Sequence, residues 1–156
     1  MRFNPEAAQK HFSHPNFVKR HSLSLIASAI TLFWLIAYIF SDPSKHIGSF
    51  FGNAIADWSG VVMTIIVTKF CFEKGSRESR KPPRKEQLMA PARRFLVNHS
   101  LTIFLVLSGL GWTIIFALQD PNGKWGQVVG NLVSEWTQQL GIVLLTKKFV
   151  EPRSKV

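Results

Sequence analysis

The amino-acid sequence predicts an all-α integral membrane protein with four transmembrane helices, arranged as two parallel two-helix repeats. Three observations favour this fold class. Two uncharged apolar runs are each 18 residues long, basic residues are concentrated outside them, and a shift of 78 residues aligns one half of the chain with the other. A membrane-spanning helix needs roughly 20 apolar residues, with a range of about 17 to 25. The two runs are therefore long enough to cross a bilayer.

The first and third helices are predicted from these two runs, Leu23–Phe40 and Leu101–Leu118. A serine stands at the start of each run and is expected to cap the helix. The pair Asp42-Pro43 is expected to open the second helix, with Asp42 at the N-cap and Pro43 at the first helical position.

The second and fourth helices are harder to predict, because each contains an acid. Only 11 residues separate Asp57 from Lys69, and 11 separate Glu135 from Lys147. Such a segment is about 16 Å long as a helix, too short for a hydrocarbon core of roughly 30 Å. Each span must therefore extend through its acid, and the stretches between flanking lysines give spans at residues 46–68 and 125–146.

The distribution of basic residues predicts the topology. With four spans, 17 of the 19 Lys and Arg residues lie on one side of the membrane, and only Lys45 and Lys124 lie opposite. The positive-inside rule then places both termini and the basic linker in the cytoplasm. We therefore expect a multi-pass protein of the cell (inner) membrane.

The duplication divides the chain into four parts. A cytoplasmic N-terminal segment (1–20) precedes the first hairpin repeat (21–76), and a basic cytoplasmic linker (77–98) leads to the second repeat (99–154). Asp57-Trp58 of the first repeat aligns with Glu135-Trp136 of the second. Because both units enter and leave on the same side, a pseudo-twofold axis along the membrane normal is expected to relate them.

A polar stripe runs along each acid-bearing helix. Asn53 precedes Asp57, and Asn131 precedes Glu135, at a spacing of four that puts each pair on one helix face. Because an acid inside the membrane is costly and usually functional, these four residues are a hypothetical ion or proton pathway. In the alternative, the helices are displaced outward and the acids are interfacial. Trp58, Trp136, Lys69 and Lys147 are the expected interface anchors.

Small residues lie beside the polar stripe on both helices. They allow helix backbones to approach closely, so this face is expected to point into the protein. The expected helix-packing residues are Gly48, Gly52, Gly60, Gly126 and Gly130.

The sequence favours a non-enzymatic function. It contains no catalytic constellation, and no metal or cofactor site is expected, since the pair His11 and His14 stands without further ligands. An oligomeric ion or proton pore or transport protein is the first hypothesis, and an accessory or scaffold subunit of a larger membrane complex is the second. The expected partners are anionic lipid headgroups at the linker and further copies or another membrane protein. No nucleic acid is expected.

Two stretches resemble small uncharacterised bacterial membrane proteins built on one two-helix hairpin. The matching residues are Asn98–Leu101 with His99 inserted, Asn131, Glu135-Trp136, Lys74–Ser76 and Glu78-Ser79. The resemblance implies a bacterial domain of unknown function with a hairpin architecture, here duplicated, and implies no activity.

The topology can be tested with reporter fusions. A reporter near Arg84 or at the C-terminus should stay in the cytoplasm, because the linker is strongly basic. A reporter near Ser44 or Asn122 should lie on the other side. An external reporter at Arg84 would contradict the four-span prediction.

Overall fold

The structure is a computed structural model that describes residues 17–76, 88–120 and 123–149. Its elements are five α-helices, which are α1 (Phe17–Ile39), α2 (His46–Phe70), α3 (Pro91–Asn98), α4 (Ser100–Leu118) and α5 (Lys124–Leu145). No strand forms within these ranges, so the predicted all-helical class is confirmed. Three segments, residues 21–39, α2 and α4, are long and apolar enough to cross a membrane.

The fourth predicted span forms the helix α5, within one residue of the predicted bounds. It is not among the three segments that are apolar enough to cross a membrane. The reason is its composition, because α5 carries Glu135, one asparagine and three glutamines among its 22 residues. Carboxylate and amide side chains are costly in hydrocarbon, so they lower the apolar character of the helix.

The long helices form two hairpins that meet at their second helices. Helix α1 packs on α2, α2 packs on α5, and α5 packs on α4, so that α2 and α5 are central. The core between them contains Tyr38, Ile55, Ala56, Met63, Leu105, Val128, Leu132 and Trp136. Many large apolar side chains of α1 and α4 are exposed instead. Such an outward apolar surface suits contact with lipid.

The predicted helix caps are wrong. Helix α1 begins at Phe17, so Ser22 lies inside it, and no side chain caps α4 at His99. Helix α2 begins at His46, with Lys45 at the N-cap and no side-chain cap. Asp42 lies in the preceding turn, where its carboxylate accepts hydrogen bonds from the Ser44 N–H (3.0 Å) and hydroxyl (2.7 Å). The acid is engaged by this local turn, as short polar side chains often are.

A short helix, α3, forms the last part of the predicted basic linker (77–98). Pro91 lies in its first turn, where a missing N–H costs nothing. Its Arg93, Phe95 and Leu96 are exposed. Several predicted features lie outside the described residues. They are residues 77–87 of the linker, most of the predicted N-terminal segment with His11 and His14, and Glu151 of the second repeat.

Lys124 joins the two hairpins where α1 ends and α5 begins. The Tyr38 hydroxyl donates a hydrogen bond to the Lys124 carbonyl. The Lys124 ammonium donates to the carbonyls of Ile39 (2.9 Å) and Ser41 (2.8 Å), just beyond the last turn of α1. A cation at a helix C-terminus satisfies free carbonyls and interacts favourably with the helix dipole. The contact therefore fixes α5 against the end of α1.

The close approach of α2 to its preceding turn predicts the effect of a glycine substitution. A Cβ atom at Gly48 would lie 2.7 Å from the backbone carbonyl carbon of Asp42, whereas one at Gly111 would have nothing within 4 Å. Gly48→Ala should therefore lower the stability by about 1 to 3 kcal/mol through overpacking. Gly111→Ala is the matched control and should be neutral or stabilising. Thermal unfolding in detergent measures both, and equal melting temperatures would contradict the prediction.

Candidate functional site

The contact between α2 and α5 contains a row of hydrogen-bonded polar side chains, which we call the α2–α5 seam. It comprises Asn53, Gly60, Thr64, Asn131, Glu135 and Gln139. The Asn131 amide donates to the Asn53 side-chain oxygen. One to two turns further along, the Gln139 amide donates to Glu135 Oε1 (2.8 Å), and the Thr64 hydroxyl donates to Gln139 Oε1 (3.1 Å). The carboxylate is thus connected to α2 through Gln139.

Gly60 makes this arrangement possible. A Cβ atom there would lie 2.6 Å from Glu135 Cγ and 2.8 Å from its carboxyl carbon. The Glu135 side chain therefore lies directly on the backbone of α2, which is the close approach that small residues permit between helices. Any larger residue at position 60 would push the carboxylate away from the seam.

A polar groove adjoins the seam towards the end of the bundle where α2 and α5 begin. Its volume is about 380 Å³, and it is lined by Ser49, Asn53, Phe116, Gly126, Gln127, Gly130 and Asn131. Four of these side chains carry hydroxyl or amide groups and none carries a charge. The groove is large enough for several waters and offers hydrogen-bonding partners for them.

Beyond the seam, towards the end of α2 and α5, the packing becomes apolar. A cavity of only about 10 Å³ is lined by Met63, Thr64, Thr68, Leu101, Leu105, Gln139 and Val143. A water needs roughly 10 to 15 Å³, so the cavity is at the limit for one molecule. The Thr68 hydroxyl donates to the Thr64 carbonyl (2.5 Å) and contributes no free donor here. The open groove and the narrow cavity lie at opposite ends of the seam.

The structure brings three of the four hypothetical pathway residues together. Asn53, Asn131 and Glu135 lie in the seam, and Glu135 is partly buried. Asp57 lies one turn beyond Asn53, but its side chain is exposed. The two acids, equivalent in the sequence repeat, therefore have different surroundings.

The predicted interface anchors lie in different surroundings. Trp136 is buried, and its indole N–H donates to the Ser108 hydroxyl (2.8 Å) between α5 and α4. Trp58 is partly exposed. Lys69 donates to the Ser24 hydroxyl (2.6 Å), and Lys147 pairs with Glu73.

The predicted packing glycines have separate roles. Gly60 contacts the Glu135 side chain. Gly52 and Gly130 lie under aromatic rings: a Cβ added at Gly52 would be 3.2 Å from the Tyr38 ring, and one at Gly130 would be 3.0 Å from the Phe116 ring. Gly48 approaches the turn before α2, and Gly126 is buried in the first turn of α5.

Sequence reasoning missed a buried ionic cluster around Glu73, which we call the Glu73 cluster. The Glu73 side chain is completely buried, and its Oε1 lies 2.5 Å from Lys147 Nζ and 2.7 Å from His99 Nδ1. Its Oε2 accepts the N–H of Thr102 (3.0 Å). The cluster therefore ties the segment after α2 to the start of α4 and the end of α5. The repeat carried the signal, because a His, a Lys and a Glu recur at the same spacing in both units.

Electrostatics favour the charged form of Glu73. Burial raises the pKa of its carboxyl, but the hydrogen bonds from Lys147, Thr102 and His99 together outweigh burial and hold the pKa below its ordinary value. A carboxyl whose pKa is lowered on folding stabilises the protein above its unfolded pKa, about 4.3. That contribution is lost as the pH falls through the lower folded value.

Acid titration of stability tests this cluster. Glu73→Gln should lower the stability at pH 7 by about 3 kcal/mol, because it leaves Lys147 without its anion. The difference between parent and variant should shrink as the pH falls below the unfolded pKa of about 4.3, because the parent carboxyl becomes protonated as the pH passes through its lower folded pKa. Denaturation in detergent at several pH values measures this. A difference that stays constant from pH 7 to pH 3 would contradict the ionic role.

Within the described ranges, no three His, Cys, Asp or Glu side chains are placed to hold a metal ion. No family model, curated protein or solved structure matches the chain. The resemblance to single-hairpin membrane proteins therefore stays a prediction.

Proposed function

We propose that the protein is a four-helix membrane protein that conducts protons or small cations along the α2–α5 seam. One observation carries the proposal, namely that the Glu135 carboxylate lies on α2 within a row of hydrogen-bonded polar side chains, in which Gln139 links it to Thr64. Ionisable residues in membrane helices usually face the bundle interior and belong to ion or proton pathways. Glu135 has this position relative to α2.

The proposal requires α5 to cross the membrane beside α2. Two facts support this. Helix α5 has 22 residues, close to the 25 of α2, and the two helices pack along each other. In addition, the Glu135 side chain lies against Gly60 of α2, and the Gln139 side chain accepts a hydrogen bond from Thr64 of α2. A polar helix can cross a bilayer when its polar groups are bonded inside the bundle.

Equivalent contacts in the two hairpins support the proposed duplication. The Tyr38 ring lies on Gly52, and 78 positions later the Phe116 ring lies on Gly130. At the start of each unit a phenylalanine contacts a histidine, with centroid distances of 4.5 Å for Phe17–His21 and 4.8 Å for Phe95–His99. This match extends the sequence alignment to four residues before each histidine.

The path along the seam has three parts. Water and ions enter through the polar groove, pass the Asn53–Asn131 pair and reach Glu135. Glu135 exchanges a proton or binds a cation, with Gln139 and Thr64 holding the carboxylate in place. The narrow cavity beyond Thr64 is the gate, because its volume of about 10 Å³ leaves space for one water at most. A small movement of α4 at Leu101 and Leu105 would widen it.

A second candidate function is an accessory subunit in a membrane complex. The observation that favours it is the exposed Asp57 on α2, which the described part of the chain leaves uncovered. In that case Asp57 would bind a donor on the partner. The seam of Glu135 would then be structural.

Flux measurements in liposomes test the conducting function. Glu135→Gln keeps the shape and the bond from Gln139 but removes the charge, so proton or cation flux under a gradient should fall at least tenfold. Asp57→Asn, alone and combined with Glu135→Gln, shows whether the exposed acid also contributes to the flux. Asp42→Asn is the matched control, since it removes the same charge from a turn outside the helices.

Three outcomes are informative. Loss of flux in Glu135→Gln with normal flux in Asp42→Asn supports the proposal. Equal flux in the parent and Glu135→Gln would refute the role of the carboxylate. If the parent conducts nothing while it is folded and inserted, the accessory-subunit function is the better explanation.

A further inference from the structure

We propose that a second copy of the chain covers the exposed Asp57 side of α2, and that it does so with the side of its own α5 that carries Gln138. The proposal rests on the membrane arrangement proposed above but not on conduction. Each central helix carries two stripes of side chains. The acid face consists of Phe50, Asp57 and Val61 in α2 and of the equivalent Val128, Glu135 and Gln139 in α5. The small face consists of Ala56, Gly60 and Met63 in α2 and of the equivalent Ser134, Gln138 and Gly141 in α5.

The small faces of the two helices differ in burial although they occupy equivalent positions in the repeat. In α2 this face is closed, with Ala56 at 1% and Met63 at 9% exposure and Gly60 under Glu135. In α5 it is open, because Ser134 and Gln138 are exposed. The small face of α5 therefore has no neighbour among the described residues comparable to the one that covers α2.

The acid faces show the opposite difference. In α5 Val128 is 3% exposed, and Glu135 and Gln139 are partly buried. In α2 the equivalent Phe50 and Val61 are 55% and 42% exposed, and Asp57 is exposed as well. Each helix thus has one covered stripe and one open stripe, and the open stripes are of opposite kinds.

Within one chain, the small face of α2 packs on the acid face of α5. Among the described residues, the acid face of α2 and the small face of α5 remain open, so the chain also offers both sides of a second contact of the same kind. Such a contact is heterologous, and copies that repeat it form a ring where the rotation between them closes. A second copy of the chain supplies this surface, because its α5 presents the open small face that the acid face of α2 would contact.

The side chains at the open faces have complementary hydrogen-bonding groups. Within the chain, the longer acid, Glu135, lies on the smallest residue, Gly60. At the equivalent positions between copies, the shorter acid, Asp57, meets the longer Gln138. Glutamine carries two amide donors and an ionised carboxylate only accepts, so the pair can form a charge-assisted hydrogen bond.

Lipid is a poor alternative occupant of this surface. Among the described residues the Asp57 carboxylate receives no hydrogen bond. Acyl chains offer no donors either, and polar residues in membrane helices are almost always covered by protein or water. A donor from a neighbouring chain removes this deficit.

Disulfide cross-linking between differently tagged copies tests the interface. In a Cys71→Ser background, one copy carries Asp57→Cys and the other carries Gln138→Cys, and both are co-expressed in membranes. Since each copy has one cysteine, any bond that joins the two tags is intermolecular. We expect most of the mixed pair to cross-link on mild oxidation, because equivalent positions within the chain are in contact and disulfides need close Cα atoms.

Two controls calibrate the result. A single copy with Gly60→Cys and Glu135→Cys should cross-link internally and report the known contact. Leu25→Cys paired with Gln138→Cys should give no product, because Leu25 lies on the exposed side of α1. Absence of the 57–138 product while the 60–135 product forms would overturn the proposal.

A charge swap gives a second readout that does not need cysteine. Gln138→Glu places two carboxylates together and should convert the assembly to monomers in native mass measurements. Adding Asp57→Gln restores an acid opposite an amide and should restore the assembly. A monomeric parent, or an assembly that Gln138→Glu leaves unchanged, would contradict the interface. Neither measurement depends on ion flux, so failure of the conducting function would leave this test intact.

Discussion

The placement of a carboxylate between two helices is the constraint on which the rest of the arrangement depends. Glu135 can lie against α2 only because position 60 has no side chain, and a Cβ there would be 2.6 Å from Glu135 Cγ. This brings α5 close enough for Thr64 and Gln139 to bond across the contact. Once α2 and α5 are joined in this way, α1 and α4 can only flank them, which leaves their apolar sides outward.

Hydropathy and repeat spacing were sufficient to predict four of the five helices. The lysines that flank the acid-bearing segments fixed the bounds of α2 and α5 to within two residues. Cap positions were not predictable from residue type, because Asp42 satisfies Ser44 in its own turn rather than the start of α2. The Glu73 cluster was also missed. Its members come from three distant segments, and periodicity within one helix carries no information about such contacts.

The candidate site was predictable in composition but not in geometry. The stripe of Asn53, Asn131 and Glu135 could be read from a spacing of four. The difference between Asp57 and Glu135 could not, since a symmetric repeat gives both acids the same prediction. It arises because one helix pair can use only one small face and one acid face at a time. Symmetry in the sequence therefore produces asymmetry in the packing.

This asymmetry has a consequence for how a duplicated hairpin diverges. Under the proposed duplication, the two units began as identical hairpins, so their contacts within and between chains were equivalent. Joining them in one chain makes one contact permanent and lets its two halves change separately, and Glu135 now lies on the bare Gly60. The other contact retains a shorter acid, and Gln138 supplies the bulk that Gly60 lacks. The short carboxylate of Asp57 is thus opposed by an amide that is long enough to reach it. The proposed assembly accounts for this pairing, whereas a monomer gives no reason for Gln138 to be polar and long.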